Sequence, residues 1–384
     1  MRNRNTMKKN ETDLLLKILL IFAVFFAVAA FMQDMANTMN FSGMDLRNRI
    51  VGARLVANGY NPYFYKWNEG DSDFFLDPRD DPTLPMNRVT VPPTVLQINS
   101  LFSNLPYKFI RIFWTLIQWL LLLGTIYLFS RTAADQVQSK LIWIVCLFFV
   151  ADSYIFRLHI ERGQIYILYV FLFALSYFIY SRKFRLNIII GGLIAGYCAS
   201  LRFPVLLLIL PFIFAKRWKF VMSQICGFIL GILASSLYAG KMAWISYFKA
   251  MQYHGLTHLE KIGLSTEEYP QINIEGIKDF SIFAELPISD SSLQGMMHSI
   301  GIQLSSGVLL TIFCVLLVII TIFFLKINKR YKTTGFLFLF GSAIIIISEV
   351  FLPAARYNYN DVIIMIPLSL LILDSKNLLK IYFR

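Results

Sequence analysis

The sequence is poor in charge and contains little cysteine. Only 15% of its 384 residues are charged, whereas 57% are hydrophobic, 16% are aromatic and the mean hydropathy is +0.59. This composition argues against a soluble protein and is typical of an integral membrane protein. The cysteines all lie in apolar runs, at Cys146, Cys198, Cys226 and Cys314. A thiol in such a run behaves as a small hydrophobe, so the sequence predicts neither a disulfide framework nor a zinc site.

Apolar segments that could cross a membrane occupy much of the chain, and the sequence shows no internal repeat. Ten such segments can be identified, several of them short: residues 14–32, 109–129, 141–156, 165–180, 187–201, 204–215, 220–238, 308–325, 336–352 and 362–373. A span usually needs about 20 residues, so segment 204–215 could instead form a hairpin with segment 187–201. We predict an all-α polytopic membrane protein with about ten transmembrane helices, folded as one membrane-embedded domain over residues 1–384.

The distribution of the basic residues predicts the topology. A net charge of +13 would suggest nucleic acid in a soluble protein, but Lys and Arg also orient membrane spans. With the N-terminus inside, the inner loops and both termini hold more than half of the 36 basic residues. Removing one span would place the basic segment 326–332 outside, so we keep ten. We expect a multi-pass protein of a bacterial inner membrane, with cytoplasmic termini and no nucleic-acid partner. Segment 14–32 fits an uncleaved anchor better than a signal peptide.

Two longer segments remain on the predicted outer side, residues 33–108 and 239–307, and we expect function there. The patterns GLIAG (192–196) and GFILG (227–231) place small residues four apart within predicted spans. Such patterns let helices approach closely, so we interpret them as packing and not as chemistry.

The stretch 45–63, DLRNRIVGARLVANGYNPY, lies in the first outer segment. Apolar residues recur there at spacings of three and four, and Arg47, Arg54 and Asn58 follow a separate helical spacing. This pattern predicts an amphipathic helix lying flat on the outer membrane surface. Gly59 and the turn at 61–62 would end it.

Asp45 at the start of this helix has two interpretations. Ser42-x-x-Asp45 matches a capping box, in which the acid only satisfies backbone donors. Alternatively, a carboxylate held at the boundary between water and lipid could remove a proton from a sugar hydroxyl as a general base.

Other ionisable residues gather near the outer ends of the predicted spans. Apart from Lys17, every charge inside a predicted span lies near an outer end. Solvated loops or snorkelling would explain some of them, but ionisable groups in spans are costly and often functional. Arginine binds phosphate through a planar fork, so these residues suit an anionic lipid-linked substrate. The group includes Asp152, Arg157, His159, Glu161, Arg162, Arg202, Glu349, Arg356 and Asp361.

An ordered set of short motifs resembles glycosyltransferase family 87. The motifs are Asp45 with GYNPY (59–63), VPPT (91–94), RGQ (162–164), SLRFP (200–204) before KRW (216–218), and a weaker ARYNY (355–359). The resemblance implies the C-type glycosyltransferase fold and a polyprenol-phosphate-mannose-dependent mannosyltransferase. It further implies that Asp45 is the catalytic base and that Arg162 and Arg202 bind the donor phosphate. The chain departs from the family pattern where it inserts the acidic segment 67–82.

The predicted site combines this resemblance with the outer cluster. Asp45 is the predicted catalytic residue, and the predicted phosphate-binding residues are Arg157, Arg162, Arg202 and Arg356. The predicted substrate-binding residues are Asn61, Tyr63, His159, Gln164 and Tyr357. We expect no cofactor and no metal. Asp71-Ser72-Asp73 resembles a metal-binding D-x-D, but nucleotide sugars are absent from the outer face, so a solvated acidic loop is expected.

The predicted function is inverting transfer of mannose or another hexose on the extracytoplasmic face. The partners would be a polyprenyl-phosphate sugar donor, a glycan or glycolipid acceptor, and membrane lipid. Two alternatives stay open at this point. A transporter or flippase would place its site near the bilayer midplane, and an undecaprenyl-diphosphate glycan polymerase or ligase would not need Asp45.

Overall fold

The computed structural model describes residues 2–40, 43–151, 153–261, 273–274, 277–278, 290–327, 333–352 and 356–382. Over these residues the chain is almost entirely helical, which confirms the predicted all-α class. The α-helices are α1 (Arg2–Asn40), α2 (Met44–Ala57), α3 (Pro93–Ser100), α4 (Tyr107–Ser130), α5 (Gln136–Ala151), α6 (Tyr154–Arg162), α7 (Tyr166–Tyr180), α8 (Asn187–Leu201), α9 (Ile209–Phe214), α10 (Trp218–Ala239), α11 (Lys241–Lys261), α12 (Leu293–Ser299), α13 (Ser306–Lys326), α14 (Thr334–Phe351) and α15 (Met365–Tyr382). Shorter elements are the 3₁₀ helices Asp73–Phe75, Phe203–Leu208 and Asn358–Ile364, and the antiparallel pair β1 (Asn273–Ile274) and β2 (Ile277–Lys278).

Several helices could cross a membrane by length and composition. Among the described residues, five do so singly: Glu11–Asn40 of α1, Tyr107–Ser130, Trp218–Ala239, Ser306–Lys326 and Thr334–Phe351. Helices α5 and α6 would add a sixth crossing if they act as one broken span. Shorter apolar helices occupy Tyr166–Tyr180, Asn187–Leu201 and Phe203–Phe214. The polytopic membrane class is confirmed, and the number of ten crossings stays a prediction.

The predicted span 141–156 is wrong as a continuous helix. Helix α5 ends at Ala151, α6 begins at Tyr154, and the two helices meet at 66°. Ser153 starts the new helix, because its Oγ accepts a hydrogen bond from the backbone N–H of Phe156 at 3.4 Å. Asp152, which was expected at the outward end of this span, lies outside the described residues.

The two small-residue patterns bring α8 and α10 into close contact. A methyl group at Gly196 would lie 2.0 Å from the carbonyl oxygen of Gln224, and one at Gly227 would lie 2.2 Å from the carbonyl oxygen of Leu193. Backbone atoms this close leave no room for any side chain. The packing interpretation of both patterns is confirmed.

Helix α2 has the predicted ends, and most of its residues are buried. Gly59 has a φ of +80°, and the N–H groups of Gly59 and Tyr60 close the helix onto Val56 (3.0 Å) and Leu55 (2.9 Å), as expected for a glycine-terminated helix. However, eleven of its fourteen residues are buried. Protein therefore covers most of α2, and its placement flat on the outer membrane surface stays a prediction.

Gly43 occupies the N-cap position of α2. It has a φ of +69° and supplies no side-chain cap. Ser42, the expected partner in the capping box, lies outside the described residues. The capping interpretation of Asp45 therefore stays a prediction.

The buried arginines of α2 hold the first outer segment through its carbonyl groups. Arg54 donates to the carbonyl oxygens of Ser103 (2.8 Å), Phe74 (3.2 Å) and Leu105 (3.3 Å). Arg47 donates to the carbonyl oxygen of Leu76 at 3.2 Å. Since a guanidinium carries five donors in a fixed geometry, one side chain can hydrogen-bond to several loop segments at once. The acidic insert 67–82 is thereby fixed over α2.

Lys66 organises the other end of this insert. Its Nζ donates to both carboxylate oxygens of Asp80 (3.0 and 2.8 Å) and to the carbonyl oxygens of Asp81 and Met86, each at 2.8 Å. Burial raises the pKa of Asp80, and the charge of Lys66 acts in the opposite direction. The expectation of a merely solvated acidic loop is therefore wrong at Asp80.

The contact between α8 and α10 is tested by adding one methyl group. Gly196→Ala should lower the free energy of unfolding by about 1–3 kcal/mol or more, because the new carbon overlaps the backbone of α10. Gly255→Ala in α11 is the matched control, since nothing lies within 4 Å of its added carbon. Thermal unfolding in detergent measures both variants. Equal midpoints for the two variants would contradict the packing account.

Candidate active site

Asp45 lies half-buried in the first turn of α2, beside the loop that follows α6. The side-chain Nε2 of Gln164 donates a hydrogen bond to Asp45 Oδ2. The other end of the same amide, Oε1, accepts a hydrogen bond from Arg49 Nη2. Arg49 also donates to the carbonyl oxygen of Gly163 at 3.0 Å. Three side chains thus form one connected chain that ends at the predicted base.

The RGQ turn folds so that it meets α2 directly. Gly163 follows the last residue of α6 with a φ of +68°, and a β-carbon there would lie 2.6 Å from Cβ of Leu46. Trp114 on α4 donates to the carbonyl oxygen of Gly163 at 3.0 Å. A residue with a side chain would be strained at this φ and would push α2 away. The glycine therefore allows Gln164 to reach Asp45.

The charge of Asp45 acts on two tyrosines that lie close to each other. Tyr166 begins α7 and Tyr359 belongs to the 3₁₀ helix before α15, and their ring centroids are 6.2 Å apart. The charge of Asp45 acts on the phenols of both. Arg162, which is buried, also acts on Tyr359.

Arg202 forms the second half of the site. Its Nε donates to Glu349 Oε1 at 2.7 Å and its Nη2 pairs with Glu349 Oε2. The face of its guanidinium lies over the ring of Tyr166, with Cζ 4.9 Å from the ring centroid. The Arg202 side chain is 29% exposed, whereas that of Glu349 is 2% exposed. Glu349 holds one edge of the guanidinium and Tyr166 holds one face.

A small cavity adjoins this ion pair. Its space of about 20 Å³ would accept a single water molecule. The polar groups that line it are Tyr166, Tyr169, Arg202, Ser342 and Glu349, and its remaining walls are apolar side chains.

Three of the predicted site residues therefore come together: Asp45 and Gln164 through their hydrogen bond, and Arg202 over the ring of Tyr166. Arg162 directly precedes Gly163 in the same turn, and its charge acts on Tyr359. Four further residues complete the arrangement without having been predicted as site residues: Arg49, Tyr166, Glu349 and Tyr359. Arg49 lies four residues after Asp45, so the helical spacing could have placed the two on one face. Tyr359 belongs to the ARYNY motif and could have been included with Tyr357.

Two predicted phosphate-binding arginines lie in other networks. Arg356 pairs with Asp361 and donates to Ser291 Oγ at 2.8 Å, so it ties the chain before α12 to the chain after α14. Arg157 lies close enough to Asp34 on α1 for the two charges to interact. Neither arginine is brought to Asp45 by these contacts.

Two predicted substrate-binding residues are fully buried. His159 stacks on Phe156, with ring centroids 5.8 Å apart, and its Nε2 accepts a hydrogen bond from the N–H of Ile167 at 3.3 Å. Tyr63 donates its hydroxyl to the carbonyl oxygen of Val91 at 2.9 Å, and burial raises its pKa. Both side chains are enclosed by the fold around the site, and their part in substrate binding stays a prediction.

Asn61 and Tyr357, the remaining predicted substrate-binding residues, lie at the margin of the site. Asn61 accepts from the N–H of Tyr63 and donates to Ser246 Oγ on α11, each at 3.0 Å, so it links the two outer segments. Tyr357 packs against Tyr359 with ring centroids 5.5 Å apart. Of the two, Tyr357 lies nearer to the tyrosines beside Asp45.

The Asp71-Ser72-Asp73 sequence does not form a metal site in this arrangement. Asp71 accepts hydrogen bonds from the hydroxyl of Tyr65 (2.8 Å) and the N–H of Asn68 (2.9 Å). The backbone bond from Asn68, followed by the bond from Tyr65, lowers the pKa of Asp71. In the part of the chain that the structure describes, no three His, Cys, Asp or Glu side chains lie close enough to hold a metal ion.

The Arg202–Glu349 pair is tested by removing one charge and then both. Glu349→Gln should lower the free energy of unfolding by about 3 kcal/mol, because it leaves the guanidinium without its charge partner. The double variant Arg202→Met with Glu349→Leu should lose less, since no uncompensated charge is left behind. Thermal unfolding in detergent compares the variants. A double variant that loses the sum of both single effects would contradict the pairing.

Comparison with known proteins gives a family match. A family model described as glycosyltransferase family 87 matches residues 90–353, which is more than half of the chain. The match includes RGQ, Arg202 and Glu349, and it begins after α2. No curated protein and no solved structure matches the chain. On this evidence the chain is a membrane glycosyltransferase, and it belongs to glycosyltransferase family 87.

Proposed function

We propose that this protein transfers a hexose, with mannose as the first candidate, from a polyprenyl-phosphate donor to a hydroxyl of a glycan or glycolipid. The reaction takes place on the extracytoplasmic face of the cell membrane and inverts the anomeric configuration. Asp45 acts as the general base, and Arg162 and Arg202 hold the donor phosphate.

One observation carries this proposal: a half-buried carboxylate and an oriented guanidinium share one tyrosine neighbour. Asp45 is hydrogen-bonded to Gln164, which lies two residues before Tyr166, and the guanidinium of Arg202 lies over the Tyr166 ring. A transferase of this kind needs a proton acceptor on one side of the anomeric carbon and a stabilised phosphate on the other. The position of Asp45 and Arg202 on either side of residues 164–166 supports these two roles.

The chemistry balances with these groups. Asp45 accepts the proton of the acceptor hydroxyl while the hydroxyl oxygen forms a bond to the anomeric carbon. The bond between that carbon and the phosphate oxygen breaks, and its electron pair leaves with the polyprenyl phosphate. Because attack and departure occur on opposite faces, the configuration inverts. A positioned base contributes about 10²- to 10⁴-fold to such a rate.

Arg202 is suited to the leaving phosphate by the way its guanidinium is held. Glu349 takes the edge formed by Nε and Nη2. Among the residues that the structure describes, no hydrogen bond engages Nη1, so Nη1 and the second proton of Nη2 form an available fork. This fork can bind two phosphate oxygens as negative charge develops on them. The partial exposure of Arg202 supports access to the fork.

The role of Asp45 is tested by an almost isosteric change. Asp45→Asn should lower kcat by about 10²- to 10⁴-fold with a small effect on the KM for the donor, because it removes the proton acceptor. Asp73→Asn in the acidic insert is the matched control and should retain activity. Mass spectrometry of the products formed from polyprenyl-phosphate sugars in detergent measures both variants.

Full turnover by well-folded Asp45→Asn would remove Asp45 from the reaction. Release of a polyprenyl diphosphate instead of a monophosphate would favour the glycan polymerase or ligase alternative. Movement of the unchanged lipid-linked sugar across proteoliposomes would favour the transporter alternative.

The role of Arg202 is tested by keeping its charge and removing its fork. Arg202→Lys should raise the KM for the donor about tenfold to a hundredfold, because one ammonium cannot serve Glu349 and a phosphate together. Arg182→Lys is the control, since that guanidinium lies over the ring of Phe178 at 4.1 Å on the predicted inner side. Unchanged steady-state kinetics in Arg202→Lys would contradict a phosphate contact at this residue.

A further inference from the structure

We propose that Gln164 is a positioning residue that holds the Asp45 side chain as a hydrogen-bond acceptor, and that Arg49 sets the direction of the Gln164 amide. This inference rests on the proposed function, because it concerns the base of that reaction. It gives Gln164 a role different from the substrate contact expected from the sequence.

Both ends of the Gln164 amide are engaged inside the protein. The residue is 2% exposed, its Nε2 faces Asp45 and its Oε1 faces Arg49. Its backbone is fixed as well, since Trp114 donates to the carbonyl oxygen of Gln164 at 3.2 Å. An amide held in this way has little freedom to turn toward a substrate.

The donor and acceptor properties of the three groups allow only one direction. A guanidinium has no acceptor atom, so Arg49 must face the carbonyl end of the amide. The amino end of Gln164 must then face Asp45, and it can only donate. Asp45 Oδ2 must therefore be the acceptor of this hydrogen bond. Arg49 thus fixes, through Gln164, which group Asp45 meets.

The groups that face Asp45 come from four elements. Arg49 lies on α2 itself, Gln164 on the turn after α6, Tyr166 on α7 and Tyr359 on the 3₁₀ helix before α15. The two tyrosines face Asp45 with neutral phenols. Arg162 acts on Tyr359, and Arg202 with Glu349 acts on Tyr166. Within the described residues, the amide of Gln164 is the hydrogen-bond donor to Asp45.

This arrangement divides the two carboxylate oxygens between two tasks. Oδ2 is occupied by Gln164, which fixes the rotation of the carboxylate. Oδ1 is left to accept the proton of the acceptor hydroxyl.

Gln164→Glu tests the inference through the pH dependence of kcat/KM. The new carboxylate keeps its bond to Arg49 but presents an oxygen to Asp45 Oδ2, so the two acids would share a proton. The acid limb of the profile should move up by about one pH unit or more. At neutral pH kcat should fall about tenfold to a hundredfold, with the KM for the donor nearly unchanged.

Gln138→Glu is the matched control. Gln138 on α5 is also a buried glutamine with both amide ends engaged, by the N–H of Ala134 and the carbonyl oxygen of Ile372, each at 3.0 Å. The same substitution there should disturb stability to a similar extent and leave the acid limb where it is in the unsubstituted protein.

The outcomes separate this inference from the proposed function. If Asp45→Asn is inactive and Gln164→Glu has the unsubstituted pH profile, the positioning role is overturned and the function stands. If Asp45→Asn is fully active, both fall. Size-exclusion chromatography shows whether Gln164→Glu folds, and if it does not, Gln164→Met is measured instead. An acid limb at higher pH with an unchanged KM in Gln164→Met supports the inference. An unchanged pH profile overturns it.

Discussion

A buried polar side chain must find partners inside the protein, and this constraint on α2 determines how the site is built. Leaving such a group without a hydrogen bond costs about 1–3 kcal/mol, and more for a charged one. The Arg54 guanidinium donates hydrogen bonds to three carbonyl groups of the first outer segment. The two terminal nitrogens of Arg49 donate to Gln164 and Gly163. The arginines of α2 therefore form the frame that fixes Asp45.

The two halves of the site come from distant parts of the chain and meet at one ring. Asp45 lies in the first outer segment, and its charge acts on Tyr166. Arg202 lies in the turn after α8, and its guanidinium packs over the Tyr166 ring. Glu349 at the end of α14 then fixes the guanidinium. A glycosyl transfer needs a base and a leaving-group partner at a set separation, and rigid helix ends are well suited to hold them. In this arrangement the protein groups stay fixed and the substrates move into position between them.

The sequence predicted well those features that depend on local pattern. Segments 109–129 and 220–238 fall inside α4 and α10, because continuous apolar runs of that length favour helix in a membrane. The glycine patterns predicted close helix packing, and Gly59 predicted the end of α2. Asp45, Gln164 and Arg202 also came together, because the ordered motifs preserve which loops meet.

The features that depend on tertiary partners could not be predicted. Periodicity separates the two sides of α2 but does not say whether each side meets water or protein. The RGQ motif contains a glutamine, but the motif does not show that both ends of its amide are hydrogen-bonded, to Arg49 and to Asp45. His159 is a polar residue in an outer motif, yet packing on Phe156 buries it completely. The central claim is that attack and phosphate departure occur on opposite faces of the sugar in one step. The anomeric configuration of the product, determined by NMR from a donor of known configuration, tests it most directly: the account predicts inversion, and retention would contradict it.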